Sequence, residues 1–116
     1  MTPPYSPERF DALVDELYAL SVHVLTSKRE EYSPGGDRLK NFHDVASFLD
    51  VKPSTIAMTY LLKHVQSLAT ASATGSYSWS VTTDAGGEGL KQRIADVINY
   101  AYLLAACLDE EAEHRG

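Results

Sequence analysis

Apolar residues recur at three- and four-residue steps along most of this chain, and breaks rich in Pro and Gly cut that rhythm into separate pieces. A 3.6-residue period commits each piece to a helix with one apolar stripe, and such helices bury their stripes only against one another. Ser6-Pro7-Glu8 starts the first helix with a serine cap, a first-turn proline and an acid at the positive end of the dipole. Phe10, Leu13, Leu17, Leu20 and Val24 form its inward stripe and predict a helix to about Tyr32. Pro34-Gly35-Gly36 ends it, and Asp37 is the expected cap of a second helix with Leu39, Phe42, Val45, Ala46 and Leu49 on its apolar face. Asp50-Val51-Lys52-Pro53-Ser54 breaks the pattern again. A third helix follows with Ile56, Tyr60, Leu61, Val65 and Leu68 inward. The last, from about Glu88 to Glu111, has a heptad-like seam of Leu90, Ile94, Val97, Ala101, Leu104 and Leu108. The expected fold is all-α: a four-helix bundle with a long Ser/Thr/Gly-rich connection before the last helix.

A chain of 116 residues is one domain, 1–116, with a flexible N-terminus over 1–5 and a loop or arm over 70–89. Such a long connection is usually functional or disordered. Within it Tyr77, Trp79 and Val81 alternate with serines, as in a short strand or hairpin arm, and Trp79 is the chain's only tryptophan. A lid over a ligand and a dimer-exchanging arm are the two expectations. The net charge of -6 argues against nucleic acid and anionic membranes as partners. Small anions held by a local Lys/Arg cluster remain compatible with it, as do metal ions. A single cysteine excludes a disulfide framework and a multi-thiolate zinc site. No signal peptide or bilayer-length apolar run is present, so a soluble, cytoplasmic protein is expected. Val14, Tyr18, Ile98 and Tyr102 add apolar surface beyond what one four-helix layer needs, which predicts a homo-oligomer, a dimer or tetramer.

The segment from Lys28 to Phe42 carries charges, a tyrosine, a Pro-Gly-Gly break and an Asn between two helices. Continuing the first helix's register places Glu31 on the inward stripe, where a carboxylate is costly unless paired or ligating a cation. Glu30 lies beside it, and Asp96 and Asn99 share a face one turn apart on the last helix. Oxygen ligands from two helices suit Mg²⁺ or Mn²⁺; the plainer alternative is a solvated helix end and one polar notch. Arg38, Lys40, Lys63 and Arg93 are the candidate phosphate cations, although isolated surface cations ordinarily only solvate. Asn41 either reads a base or sugar edge or caps a helix. Tyr32 either stacks on a base or plugs the helix end, and His64 is either a ligand or a hydrogen-bonded core residue. Cys107, near the last seam, is expected to be a small buried hydrophobe. No phosphate loop, His-Glu-x-x-His or Gly-x-Ser-x-Gly motif occurs, so a nucleophilic hydrolase is not expected.

Lys28-Arg29-Glu30-Glu31-Tyr32, the Gly-Gly break, Arg38-Leu39-x-Asn41-Phe42, Lys63-His64 and Asp96-Val97-Ile98-Asn99-Tyr100 together resemble small phage-encoded MazG-like proteins. The resemblance runs over roughly residues 10 to 108 and extends to the all-α nucleoside triphosphate pyrophosphatase superfamily. It implies an oligomeric helical bundle that binds Mg²⁺ through acids on two helices and cleaves nucleotides between the α and β phosphates. On that likeness Glu30, Glu31, Asp96 and Asn99 would hold metal, with Glu31 and Asp96 the catalytic pair. Tyr32, Arg38, Asn41, Lys63, His64 and Trp79 would contact the nucleotide. The family's Glu-x-x-Glu and Glu-x-x-Asp signatures each keep one acid here, and Arg93 stands where the second has a carboxylate. Three readings follow: a Mg²⁺-dependent pyrophosphohydrolase, a non-catalytic binder that sequesters a nucleotide or nucleotide-derived signal, and an oligomeric interaction protein.

Overall fold

The computed structural model describes residues 2–27, 36–83 and 85–115. Four helices account for most of them: α1 Pro7–Ser27, α2 Lys40–Leu49, α3 Pro53–Thr74 and α4 Leu90–Arg115. The fold is all-α, as the apolar periods predict. α4 is the shared partner, packing most extensively on α3 and also on α1, while α2 packs on α3. None of the described helices is long and apolar enough to cross a membrane.

The helix ends follow local chemistry. Ser6 Oγ accepts the Arg9 N–H at 3.1 Å, the expected cap of α1. Asp37 does not cap α2 directly. Its carboxylate accepts the Leu39 N–H at 3.0 Å, a turn that sets up a helix starting at Lys40. α2 ends at Asp50, which takes the left-handed conformation (φ 57°) and is followed by a Val51 N–H to Ala46 C=O bond of 3.0 Å. α3 begins with Pro53, and its Ser54 N–H donates to Glu111 Oε1 of α4 at 3.2 Å. A carboxylate 57 residues away thus serves the positive end of this helix. α3 continues past the expected boundary to Thr74, and α4 starts at Leu90 rather than Glu88.

α3 and α4 run antiparallel, with Ser54 against Glu111, His64 against Tyr100 and Ser67 against Arg93. Their buried apolar positions are mostly small: Ala57 and Ala71 on α3, Ala95 and Cys107 on α4. The buried line of α4 is therefore Ala95, Asn99 and Cys107, rotated from the expected seam, where Ala101 and Leu108 are exposed. Small side chains at a helix contact permit close approach, and Leu103 and Leu104 are only partly buried against the core. Phe42 and Ala46 of α2 and Ile56 of α3 complete the main core with Cys107. Burial, then the neighbouring carboxylates of Glu111 and Glu110, push the Cys107 thiol up to about 11, so it stays protonated at neutral pH and acts as a packing residue.

Phe10, expected inward, is exposed, as are Tyr60 and Val65 of α3. The radius of gyration is 16.7 Å, with extents of 54 × 29 × 25 Å. A compact domain of this length has a radius of about 13 Å, so the molecule is long and thinly cored.

The connection from Gly75 to Gly89 folds onto the start of α4. Gly89 N–H donates to Val81 C=O at 2.7 Å, Leu90 N–H to Ser78 C=O at 2.8 Å and Thr83 N–H to Gly87 C=O at 2.8 Å. A single antiparallel bridge joins Thr82 and Glu88, so the expected hairpin arm is reduced to one tight turn among the described residues. Lys91 anchors its base, paired with Glu16 of α1 at 2.6 Å and lying 5.5 Å from the Trp79 ring centre. A Cβ on Gly89 would fall 1.7 Å from the Ser80 carbonyl oxygen, so only glycine fits. Gly89→Ala is expected to lower stability by about 1–3 kcal/mol and to shift Trp79 emission while leaving helical circular dichroism in place. Unchanged melting and emission would show that this turn is not closed in solution.

Candidate functional site

The side-by-side packing of α3 and α4, with α2 and the end of α1 laid across them, leaves a cavity of about 440 Å³. All four helices line it, a size and position usual for small-molecule sites. Its aromatic wall comes from two i, i+4 pairs on facing helices: Tyr60 and His64 of α3, Asp96 and Tyr100 of α4. His64 stacks on Tyr100 with ring centres 4.9 Å apart and 23° between planes. Tyr60 meets Tyr100 edge-on at 6.0 Å and Phe42 at 6.1 Å, extending the wall to α2. Arg38 and Asn41, before and within the first turn of α2, also line the cavity.

Asn99 is 5% exposed, and its Oδ1 has no hydrogen-bond partner among the described residues. An unsatisfied buried amide costs about 1–3 kcal/mol and is uncommon in folded proteins. One turn earlier Asp96 accepts the Gln92 Nε2–H at 3.2 Å and faces the same cavity. Asp44 also lines it, but its carboxylate is paired with Lys40 at 3.0 Å.

The cavity brings together five of the residues singled out from sequence: Arg38, Asn41, His64, Asp96 and Asn99. Glu30, Glu31 and Tyr32 lie outside the described residues. Lys63 does not join this group. It lines a separate groove between α3 and α4, together with Arg93. Trp79 sits on the connection against Lys91, half exposed and outside the cavity lining. Tyr60, Tyr100 and Glu88, which sequence reasoning did not assign to the site, do line it. The signal for the first two was present in the i, i+4 spacings Tyr60–His64 and Asp96–Tyr100; Glu88 arrives only because the tight turn returns the chain to α4.

Among the described residues no group of three or more His, Cys, Asp or Glu side chains is placed to hold a metal ion. Asp96 and the unpartnered Asn99 oxygen are nevertheless hard oxygen donors one turn apart, the donor class that Mg²⁺ takes. No family model matches the chain, and no characterised protein or solved structure does.

The Asn99 Oδ1, without a partner among the described residues, makes a stability prediction. Asn99→Leu, of similar volume, removes a buried polar group without opening a cavity, and is expected to raise the unfolding free energy by about 1 kcal/mol. A clear fall in melting temperature would mean that the amide has a structural partner.

Proposed function

We propose that the chain binds a nucleotide in the four-helix cavity, as a MazG-like protein. The observation that carries this reading is the buried Asn99 Oδ1, without a partner among the described residues, in a cavity also lined by the stacked His64–Tyr100 pair and by Arg38. A flat heterocycle fits an aromatic wall, an unsatisfied amide fits a ligand's polar edge or a cation, and a guanidinium fits a phosphate. In this reading Tyr60, His64 and Tyr100 hold the base, Asn41 contacts a base or sugar edge and Arg38 meets phosphate oxygens. Asp96 and Asn99, with Glu30 and Glu31, would hold Mg²⁺ or Mn²⁺. A bound Mg²⁺ would polarise a phosphoryl oxygen and lower the pKa of an attacking water.

Sequestration without turnover is the second reading, and the carboxylate supply favours it. Asp96 is the acid the last helix contributes, while Arg93, at the position where the family's signature has an acid, lines the separate groove. Incubation with a nucleotide panel and Mg²⁺ separates the two. Pyrophosphate and monophosphate products support the hydrolase; saturable binding with intact nucleotide recovered after heat release supports the binder. His64→Ala is expected to weaken binding by about tenfold through lost stacking. Absence of binding by any nucleotide, with or without Mg²⁺, would reject both.

Assembly into a homo-oligomer in the cytoplasm accompanies this reading. Phe10, Val14, Tyr18 and Val22 form an exposed apolar row at four-residue steps on α1, and the thin core leaves it uncovered. A second copy of the chain is the proposed cover. Tyr18→Glu is expected to shift the mass in solution, by light scattering, from dimer or tetramer to monomer. A wild-type protein that is monomeric at high micromolar concentration would contradict this.

A further inference from the structure

The separate groove has a chemistry of its own. Lys63, Ser67, Thr70 and Thr74 follow one another at three- and four-residue steps along one face of α3. Arg93 of α4 faces them, and Ser76 closes the end where α3 gives way to the connection. The space they enclose is about 540 Å³. Arg93 Nη1 donates to Ser67 Oγ at 2.9 Å, which fixes the guanidinium over the α3 face. Thr74 Oγ1 is committed to backbone, donating to Thr70 C=O at 2.9 Å and accepting the Ser76 N–H at 3.2 Å.

Electrostatics set this groove apart from the rest of an acidic chain. Lys40 is paired with Asp44 and Lys91 with Glu16, yet neither Lys63 nor Arg93 has an ion-pair partner among the described residues. Glu88 lines an adjoining pocket with Arg93 and Ser76 but makes no ion pair with the guanidinium. In a protein of net charge -6, two cations without an ion pair among the described residues and facing one hydroxyl-lined groove concentrate positive potential there. A planar guanidinium, a mobile ammonium and hydroxyl donors together are what a tetrahedral oxyanion with two or more charges requires.

We propose that Lys63, Arg93 and Ser67 form a polyanion site, distinct from the four-helix cavity, that binds phosphate or pyrophosphate groups. The proposal does not depend on what the cavity binds. The ligand is either the free inorganic ion or the phosphoryl tail of a larger molecule, and the two sources give different results in one experiment.

Inorganic pyrophosphate, a nucleoside and the matching nucleoside triphosphate are titrated separately into the full chain, followed by calorimetry and by backbone amide shifts. Pyrophosphate alone is expected to bind saturably and to move amides of residues 63–76 and 93. Lys63→Gln and Arg93→Gln are each expected to weaken it by about tenfold or more, and Lys63→Arg to restore it. A triphosphate that moves the groove amides while pyrophosphate does not identifies the tail of a larger ligand as the source and still supports the site. Groove amides that respond to neither ligand, or shifts confined to Arg38 and Asn41, would overturn the proposal. So would pyrophosphate affinity unchanged by both Lys63→Gln and Arg93→Gln. The shift map on the wild-type chain decides even if a variant fails to fold. Nucleoside binding reports on the cavity alone, so its failure leaves the groove result standing.

Discussion

The close antiparallel contact of α3 and α4 is the constraint on which the rest of the molecule depends. Alanines at 57, 71 and 95 and the small thiol of Cys107 bring the two helices together, and the register that results is fixed at three points along their length. At one end Glu111 accepts a backbone donor in the first turn of α3. In the middle His64 lies flat on Tyr100. Toward the other end Arg93 reaches Ser67. Both candidate sites follow from this register: on α3 the adjacent Lys63 and His64 look out on different sides, and on α4 Arg93 and Asp96 lie one turn apart along the contact. His64 and Asp96 line the cavity, whereas Lys63 and Arg93 line the groove.

A core made largely of alanine cannot be a large one. The residues that would ordinarily fill a bundle interior are displaced to the flanks, and several, such as Phe10, Val14 and Tyr18, are exposed. Hydrophobic burial scales with apolar area removed from water. A long protomer with much of that area still outside gains stability by covering it, which is the physical case for assembly. The same thinness leaves a ligand-sized space, lined by α2 and α3, where a thicker core would close it.

Much of the fold was legible in the chain because helical periodicity, Pro/Gly breaks and capping residues act locally. The serine start of α1, the break at Asp50-Val51 and the all-α class all follow from residues a few positions apart. The rotation of α4 was not legible: a seam of Leu, Ile and Val looks like the buried face until a neighbouring helix approaches along alanines instead. That rotation decides which polar groups are buried, and it placed Asn99 on the buried line. The site divides in the same way. Arg38, Asn41, His64, Asp96 and Asn99 were recognisable by residue type and spacing, but the separation of Lys63 from Arg38 depends on which side of α3 borders the cavity, a tertiary fact. Tyr60 reads as a core residue in the sequence because its spacing fits the α3 stripe, and stripe residues beside a cavity are indistinguishable from core until the cavity is seen.

The central claim is that a ligand supplies the partner that the buried Asn99 Oδ1 lacks among the described residues. The side-chain amide resonances of Asn99, assigned in the free chain, test it most directly. On titration with the nucleotide that binds best, those resonances are predicted to shift together with the ring protons of His64 and Tyr100, with one common affinity. Saturable nucleotide binding that leaves the Asn99 amide and both rings unmoved would contradict the account.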